Sequence, residues 1–163
     1  EIAQCLVGSE MCIRDRLYTA PQKNQTVPNV YYKVYAGGRW YSEVKNLDDY
    51  AGDAVHPIRG IAVKVDIGSV KYRVHTRNGR WYPYVTGYNI QDGNNGFAGD
   101  LVNDIDMVEI YYTTPAGYVT RKAKYRVAPV GKTIIPGSLT MKPGTAWMAM
   151  PVPPECSWVN FRW

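Results

Sequence analysis

The side chains best suited to chemistry in this 163-residue chain are aromatic rather than nucleophilic or acidic. Trp40 with Tyr41, and Trp81 with Tyr82, Tyr84 and Tyr88, each follow a short Gly-Arg turn, Gly38-Arg39 in one case and Gly79-Arg80 in the other. An indole stacks on the apolar face of a sugar ring, and neighbouring Tyr hydroxyls bond the sugar's own hydroxyls. These six residues are therefore the candidate ligand-binding set, with the group after Gly79-Arg80 favoured because it is the larger cluster. A large aromatic beside a turn also serves to anchor a local core. The sequence leaves both roles open for Trp40 and Trp81.

Other combinations carry less. Asp104 and Asp106 lie two apart on one strand face, the arrangement of a carboxylate pair for glycoside hydrolysis. Pro57 and Arg59 occupy the equivalent positions of an earlier copy, so the pair reads as solvated edge carboxylates. His56 and His75 are not equivalent in the two copies and have no Cys or His-Glu-x-x-His partner, so no metal site is expected. Asp92-Gly93-Asn94-Asn95-Gly96 is rich in oxygen donors but lacks the alternating acidic ligands and closing Glu of a calcium loop; it reads as a turn. No nucleophile elbow, phosphate loop or dinucleotide fingerprint occurs. The expectation is a protein without catalytic residues or cofactor.

The net charge of +5 suits an anionic surface, yet its charges are scattered in the way of solvated strand faces. No stacking-platform motif accompanies them, so nucleic acid is not an expected partner. No apolar run approaches the roughly 18 residues of a membrane helix. Fourteen tyrosines, two phenylalanines and frequent Gly and Pro favour strands and turns.

The elements that position these aromatics repeat. Val30–Tyr35 alternates as a strand, followed by Gly38-Arg39-Trp40, Tyr50-Ala51-Gly52, and then Ile58, Ile61, Val63 and Val65. Val70–His75, Gly79-Arg80-Trp81, Phe97-Ala98-Gly99, and Ile105, Val108, Ile110 and Tyr112 repeat the order. In both copies the second-strand positions fall six, nine, eleven and thirteen residues after the Gly of the Ala-Gly pair. Those pairs predict a tight backbone passage open only to small residues. Ala123–Val127 restarts the first strand, with Lys124 and Arg126 facing out. The predicted fold is all-β, made of repeated two-strand units with pseudo-threefold symmetry, β-trefoil-like or β-prism-like, with the third unit truncated.

The two ends break the pattern. Residues 1–16 have neither period and read as the translation of a transposon-end sequencing adapter. Residues 17–29 read as a Pro-punctuated linker. The repeat domain spans 30–132, with copies at about 30–67 and 70–114 and a third beginning at 123–132. From 133 to 163 alternation stops and Trp, Met and Pro accumulate. Reverse translation one base earlier permits a Tyr-Ala-Gly triplet followed by apolar residues at plus six, nine and eleven, so this tail reads as out of frame. Cys5, Cys12 and Cys156 all lie in these ends, which leaves 17–132 without a disulfide framework or thiol chemistry.

Tyr32–Trp40, Tyr50–Gly52, Lys71–His75, Trp81–Asn89, Gly96–Gly99, Ile105–Tyr112 and Lys122–Pro129 together resemble the C-terminal repeat region of clostridial and phage peptidoglycan hydrolases, which include N-acetylmuramoyl-L-alanine amidases and lysozyme-like muramidases. They are also similar to the clostridial hydrophobic repeats with a signature Trp. The resemblance covers about 30–132 and departs from the pattern at Phe97, where Tyr is usual. It implies a secreted, cell-wall-associated or phage-encoded module that binds wall glycan or peptidoglycan for a catalytic domain lying upstream. The alternative is a structural or adhesive surface repeat that binds a protein.

Overall fold

The computed structural model describes residues 22–53 and 55–121 in full, together with the backbone of Lys124–Pro129, Leu139–Thr140, Met150–Pro151 and Cys156–Arg162. Among the described residues there is no helix, and the chain is all-β. No helix among them is long and apolar enough to cross a membrane. The adapter reading of residues 1–16, the start of the linker and most of the tail read as out of frame fall outside the described residues.

Alternation makes the first strands. β1 (Val30–Ala36) buries every second residue, and Val30, Tyr32, Val34 and Ala36 face the core. Gly37 and Gly38 take positive φ and turn the chain into β2 (Arg39–Trp40), which pairs back onto β1. Then come β3 (Val44–Lys45), also on β1, β4 (Ala51–Gly52), and β5 (Ile58–Val65), the long antiparallel partner of β1. Unit two repeats the order as β6 (Ser69–Thr76), β7 (Arg80–Trp81), β8 (Ala98–Gly99) and β9 (Ile105–Thr113). β10 (Lys124–Pro129), β11 (Leu139–Thr140), β12 (Met150–Pro151) and β13 (Cys156–Arg162) follow as unit three; the last three lie within 133–163, so strands continue beyond the point where the sequence reading truncates the third unit.

A bulge explains the spacing of the second strands. Tyr35 pairs with Gly60 but Ala36 pairs with Ile58, so Arg59 is an extra residue. His75 pairs with Met107 and Thr76 with Ile105, leaving Asp106 as the extra one. A residue inserted into one strand shifts its side chains by one face. Ile58 and Ile61, three apart, therefore both point inward, as do Ile105 and Val108. The β10–β13 pair carries the same shift between Ala128 and Pro129. Val65, Ile110 and Tyr112, expected in the core, are only half-buried at the strand ends.

The short Ala-Gly strands leave their own hairpins. β8 of unit two pairs with β5 of unit one, Ala98 opposite Ile61 and Gly99 opposite Gly60. β4 pairs with β13, and β12 with β9. The three sheets therefore run β2-β1-β5-β8 with β3 beside β1, β7-β6-β9-β12, and β11-β10-β13-β4. Among the described residues, units one and two share one apolar cluster that includes Tyr32, Val34, Ile61, Val63, Tyr72, Val74, Val85 and Val108. The two buried tyrosines have polar ends and therefore need acceptors. The Tyr32 hydroxyl lies 3.0 Å from the Asn46 carbonyl and 2.9 Å from that of Asp49, and Tyr72 donates to the Gly87 carbonyl at 2.8 Å. Burial pushes the Tyr72 hydroxyl up to about 12. These bonds hold the polar excursions against the sheets.

Residues 22–29 form no long strand but are tied to the domain. Asn24 donates its N–H to the Gly117 carbonyl at 2.7 Å and accepts from Val119 at 3.0 Å. Asn29 donates its backbone N–H to Asp66 Oδ1 at 2.7 Å and its amide to Oδ2 at 2.6 Å.

Candidate functional site

β2 and β7 carry the two Trp residues at equivalent places, but their surroundings differ. Trp40 packs edge-on against Tyr35, centroids 5.6 Å apart, and against Phe97 of unit two at 5.2 Å. It also closes over Gly60, where an added Cβ would lie 3.3 Å from the indole and 2.6 Å from Leu101. Trp81 has polar neighbours instead. The Arg73 guanidinium sits 4.5 Å from its ring and the His75 ring is tilted against it at 5.2 Å.

The tyrosines that follow each Trp are bound to aspartates. Tyr41 donates to Asp53, and Tyr82 donates to Asp100 at 2.6 Å. Each aspartate also caps the turn beyond it. Asp53 accepts from Val55 and His56 N–H, and Asp100 from Val102 and Asn103 N–H. The signal for this link is present in the sequence as Trp-Tyr and Ala-Gly-Asp in both copies. It gives Tyr41 and Tyr82 a structural task in common.

Burial opposes ionisation of Asp100, but hydrogen bonds from Tyr82, Asn103 and Val102 outweigh it and hold the carboxyl at about 2. Asp53 is likewise depressed, with bonds from Tyr41, His56 and Val55 outweighing burial. Both folded values lie below the ordinary 3.8. Depressed groups contribute stability above the unfolded pKa and lose it as pH falls through the folded one. The melting temperature should therefore fall between about pH 4 and pH 2, and Tyr82→Phe should flatten part of that fall. Thermal unfolding across pH checks this, and an identical profile for Tyr82→Phe would contradict it.

Tyr84 and Tyr88 separate. Tyr84 stands on the outer face of unit two, 36% exposed. It donates to Glu109 at 2.8 Å and meets Tyr111 edge-on at 5.5 Å. Arg73 lies 4.5 Å from its ring and Lys71 4.9 Å. Tyr88 crosses to the outer face of unit one instead, donating to Glu43 at 2.7 Å. The Lys64 ammonium lies 4.3 Å from the Tyr88 ring and 5.0 Å from that of Tyr31. Burial, then hydrogen bonds, with Tyr111 and Glu109 at Tyr84 and with Glu43 at Tyr88, raise both hydroxyls. Tyrosine next to lysine thus recurs on both faces.

Glu109 is a buried carboxylate at 1% exposure, on the side of β9 away from the apolar cluster. It accepts from the Arg73 Nε, from Tyr84 and, at 3.0 Å, from Tyr111. Burial works to raise it, yet these donors together leave it below its ordinary value. A buried charge is tolerable when paired and hydrogen-bonded in this way. Glu109 thereby orients Tyr84 and Tyr111.

Asp104 and Asp106 do not act on a common point. Asp104 accepts from Arg59 of unit one at 2.8 Å, and Asp106 Oδ1 lies 2.6 Å from His75 Nδ1. Both are half-buried rather than solvated edge groups, Asp104 in an ion pair with Arg59 and Asp106 against the His75 ring. His56 lies 2.9 Å from Asp53. Among the described residues no group of three or more metal-binding side chains converges. In the 92–96 loop, Asp92 accepts from the Asn94 N–H at 2.9 Å, which makes it a turn.

No protein-family model matches the chain, and neither a curated protein nor a solved structure matches it.

Proposed function

We propose that this chain is a non-catalytic glycan-binding module that holds a bacterial or phage peptidoglycan hydrolase at the cell wall. The observation that carries the reading is the outer surface of the first two units. Tyr84 and Tyr111 with Lys71 and Arg73, and Tyr31 and Tyr88 with Lys64, form two aromatic and cationic faces on a repeated frame. Rigid rings flanked by polar groups suit sugars, and two linked weak sites raise each other's effective concentration. Trp81, beside the unit-two face, is the proposed stacking residue, with Tyr84 next to it.

For the fold, the exchange of short strands supports closed pseudo-threefold symmetry. Each pairs with the second long strand of another unit. Division of the strands into three separate four- or five-stranded sheets favours a β-prism-like arrangement over a trefoil.

The full chain should sediment with purified, protein-free Gram-positive cell walls and release neither reducing ends nor free amines above a heat-killed control. Chain left in the supernatant, with binding only to walls that retain their proteins, would favour the adhesive reading. Release of reducing ends or amines would make it a hydrolase.

A further inference from the structure

The aromatic faces of units one and two meet at a cleft. It measures about 340 Å³ and is lined by Lys64 and Val65 from the end of β5, by Gly68, Ser69, Val70 and Lys71 around the start of β6, and by Thr86 and Thr113. Among the described residues no carboxylate lines it. Lys64 is partly neutralised, 3.0 Å from Glu43. Lys71 is exposed and rests over Tyr84 and Tyr111, and among the described residues no carboxylate lies within ion-pair distance of it. The nearby Asp66 is bound to Asn29.

We infer that this cleft is an anion subsite, and that the wall ligand is a polymer carrying phosphate or carboxylate groups along a sugar or polyol chain. This rests on the wall-binding reading above and names the chemistry of its ligand. Lys64 and Lys71 border one cleft from opposite units with no carboxylate among its lining residues, and Lys71, which has no acidic partner among the described residues, gives the cleft a positive charge that favours an anion. The hydroxyls of Ser69, Thr86 and Thr113 supply further donors for its oxygens. The flanking rings, Tyr88 on one side and Tyr84 and Tyr111 on the other, give sugar or polyol carbons a surface to cover. One anionic group would sit in the cleft while its chain runs outward over either face.

The test uses the full chain and three soluble probes: poly(glycerol phosphate), a hyaluronan oligosaccharide and neutral chitotetraose. Binding is followed by intrinsic fluorescence and calorimetry. At least one anionic probe should bind more tightly than chitotetraose, more weakly as salt rises. The preferred probe identifies phosphate or carboxylate as the source. Lys71→Glu should weaken that binding about tenfold and Lys71→Gln by less, with the melting temperature unchanged because Lys71 is exposed. If the chain sediments with walls but prefers chitotetraose, or ignores Lys71→Glu, the anion subsite is overturned and wall binding stands. If no wall and no anionic probe is bound, both fall.

Discussion

Gly99→Ala is expected to destabilise this protein more than any exposed substitution, by about 3–5 kcal/mol. Gly99 lies at φ 122°, a region that L side chains rarely adopt. An added Cβ would stand 2.4 Å from the Arg59 carbonyl oxygen and 3.0 Å from the Gly60 Cα. Both contacts are with backbone, so no rotamer change relieves them. Moving β8 away from β5 would break the pairing of Gly99 with Gly60 and Ala98 with Ile61, which ties unit two to unit one. Against a total stability of about 5–15 kcal/mol, such a loss lowers the melting temperature by roughly 10 °C or more. Gly79→Ala separates the two causes. Gly79 has φ 82° but nothing within 4 Å of its added Cβ, so it should cost only about 1 kcal/mol. Equal melting shifts for the two variants would show that the close strand passage contributes nothing.

The two Trp residues should separate stability from binding. Trp40 meets the Tyr35 and Phe97 rings edge-on and covers Gly60, and Phe97 is itself buried. Removing it leaves a gap between units one and two, so Trp40→Ala should cost about 2–3 kcal/mol, below the usual figure for a fully buried Trp because Trp40 is half-buried. Trp81 lies against Arg73 and His75, next to the outer face of unit two. Trp81→Ala should therefore weaken sedimentation with cell walls about thirtyfold, the loss of roughly 2 kcal/mol of contact, with a smaller fall in melting temperature. Thermal unfolding and wall pulldown on the same two variants decide the matter. A folded Trp81→Ala protein with unchanged pulldown removes Trp81 from the site. A larger melting shift for Trp81→Ala than for Trp40→Ala makes Trp81 the anchor.

Sequence alone determined what depends on the direction of neighbouring side chains. Alternation at Val30, Tyr32 and Val34, and again at Val70, Tyr72 and Val74, specified the buried face of each first strand, because successive strand residues point to opposite sides. The odd step from Ile58 to Ile61, repeated from Ile105 to Val108, was legible only as a shared spacing, and the strand pairing shows that a bulge causes it. Ala98-Gly99 recorded a close backbone passage, since a Cβ on Gly99 would meet the Arg59 carbonyl oxygen at 2.4 Å, and Gly52 shares its positive φ. Tertiary structure alone decided which unit each side chain serves. Tyr88 follows Trp81 and Tyr84 in sequence but bonds Glu43 of unit one, because its loop crosses between the sheets. Glu109 belongs to an ordinary alternating strand, and only the convergence of Arg73, Tyr84 and Tyr111 buries it as a charge. Lys64 and Lys71 sit seven residues apart on separate hairpins, and the turn between those hairpins brings them to one cleft. Periodicity records the face a residue lies on, whereas its partner is set by contacts between units distant in sequence.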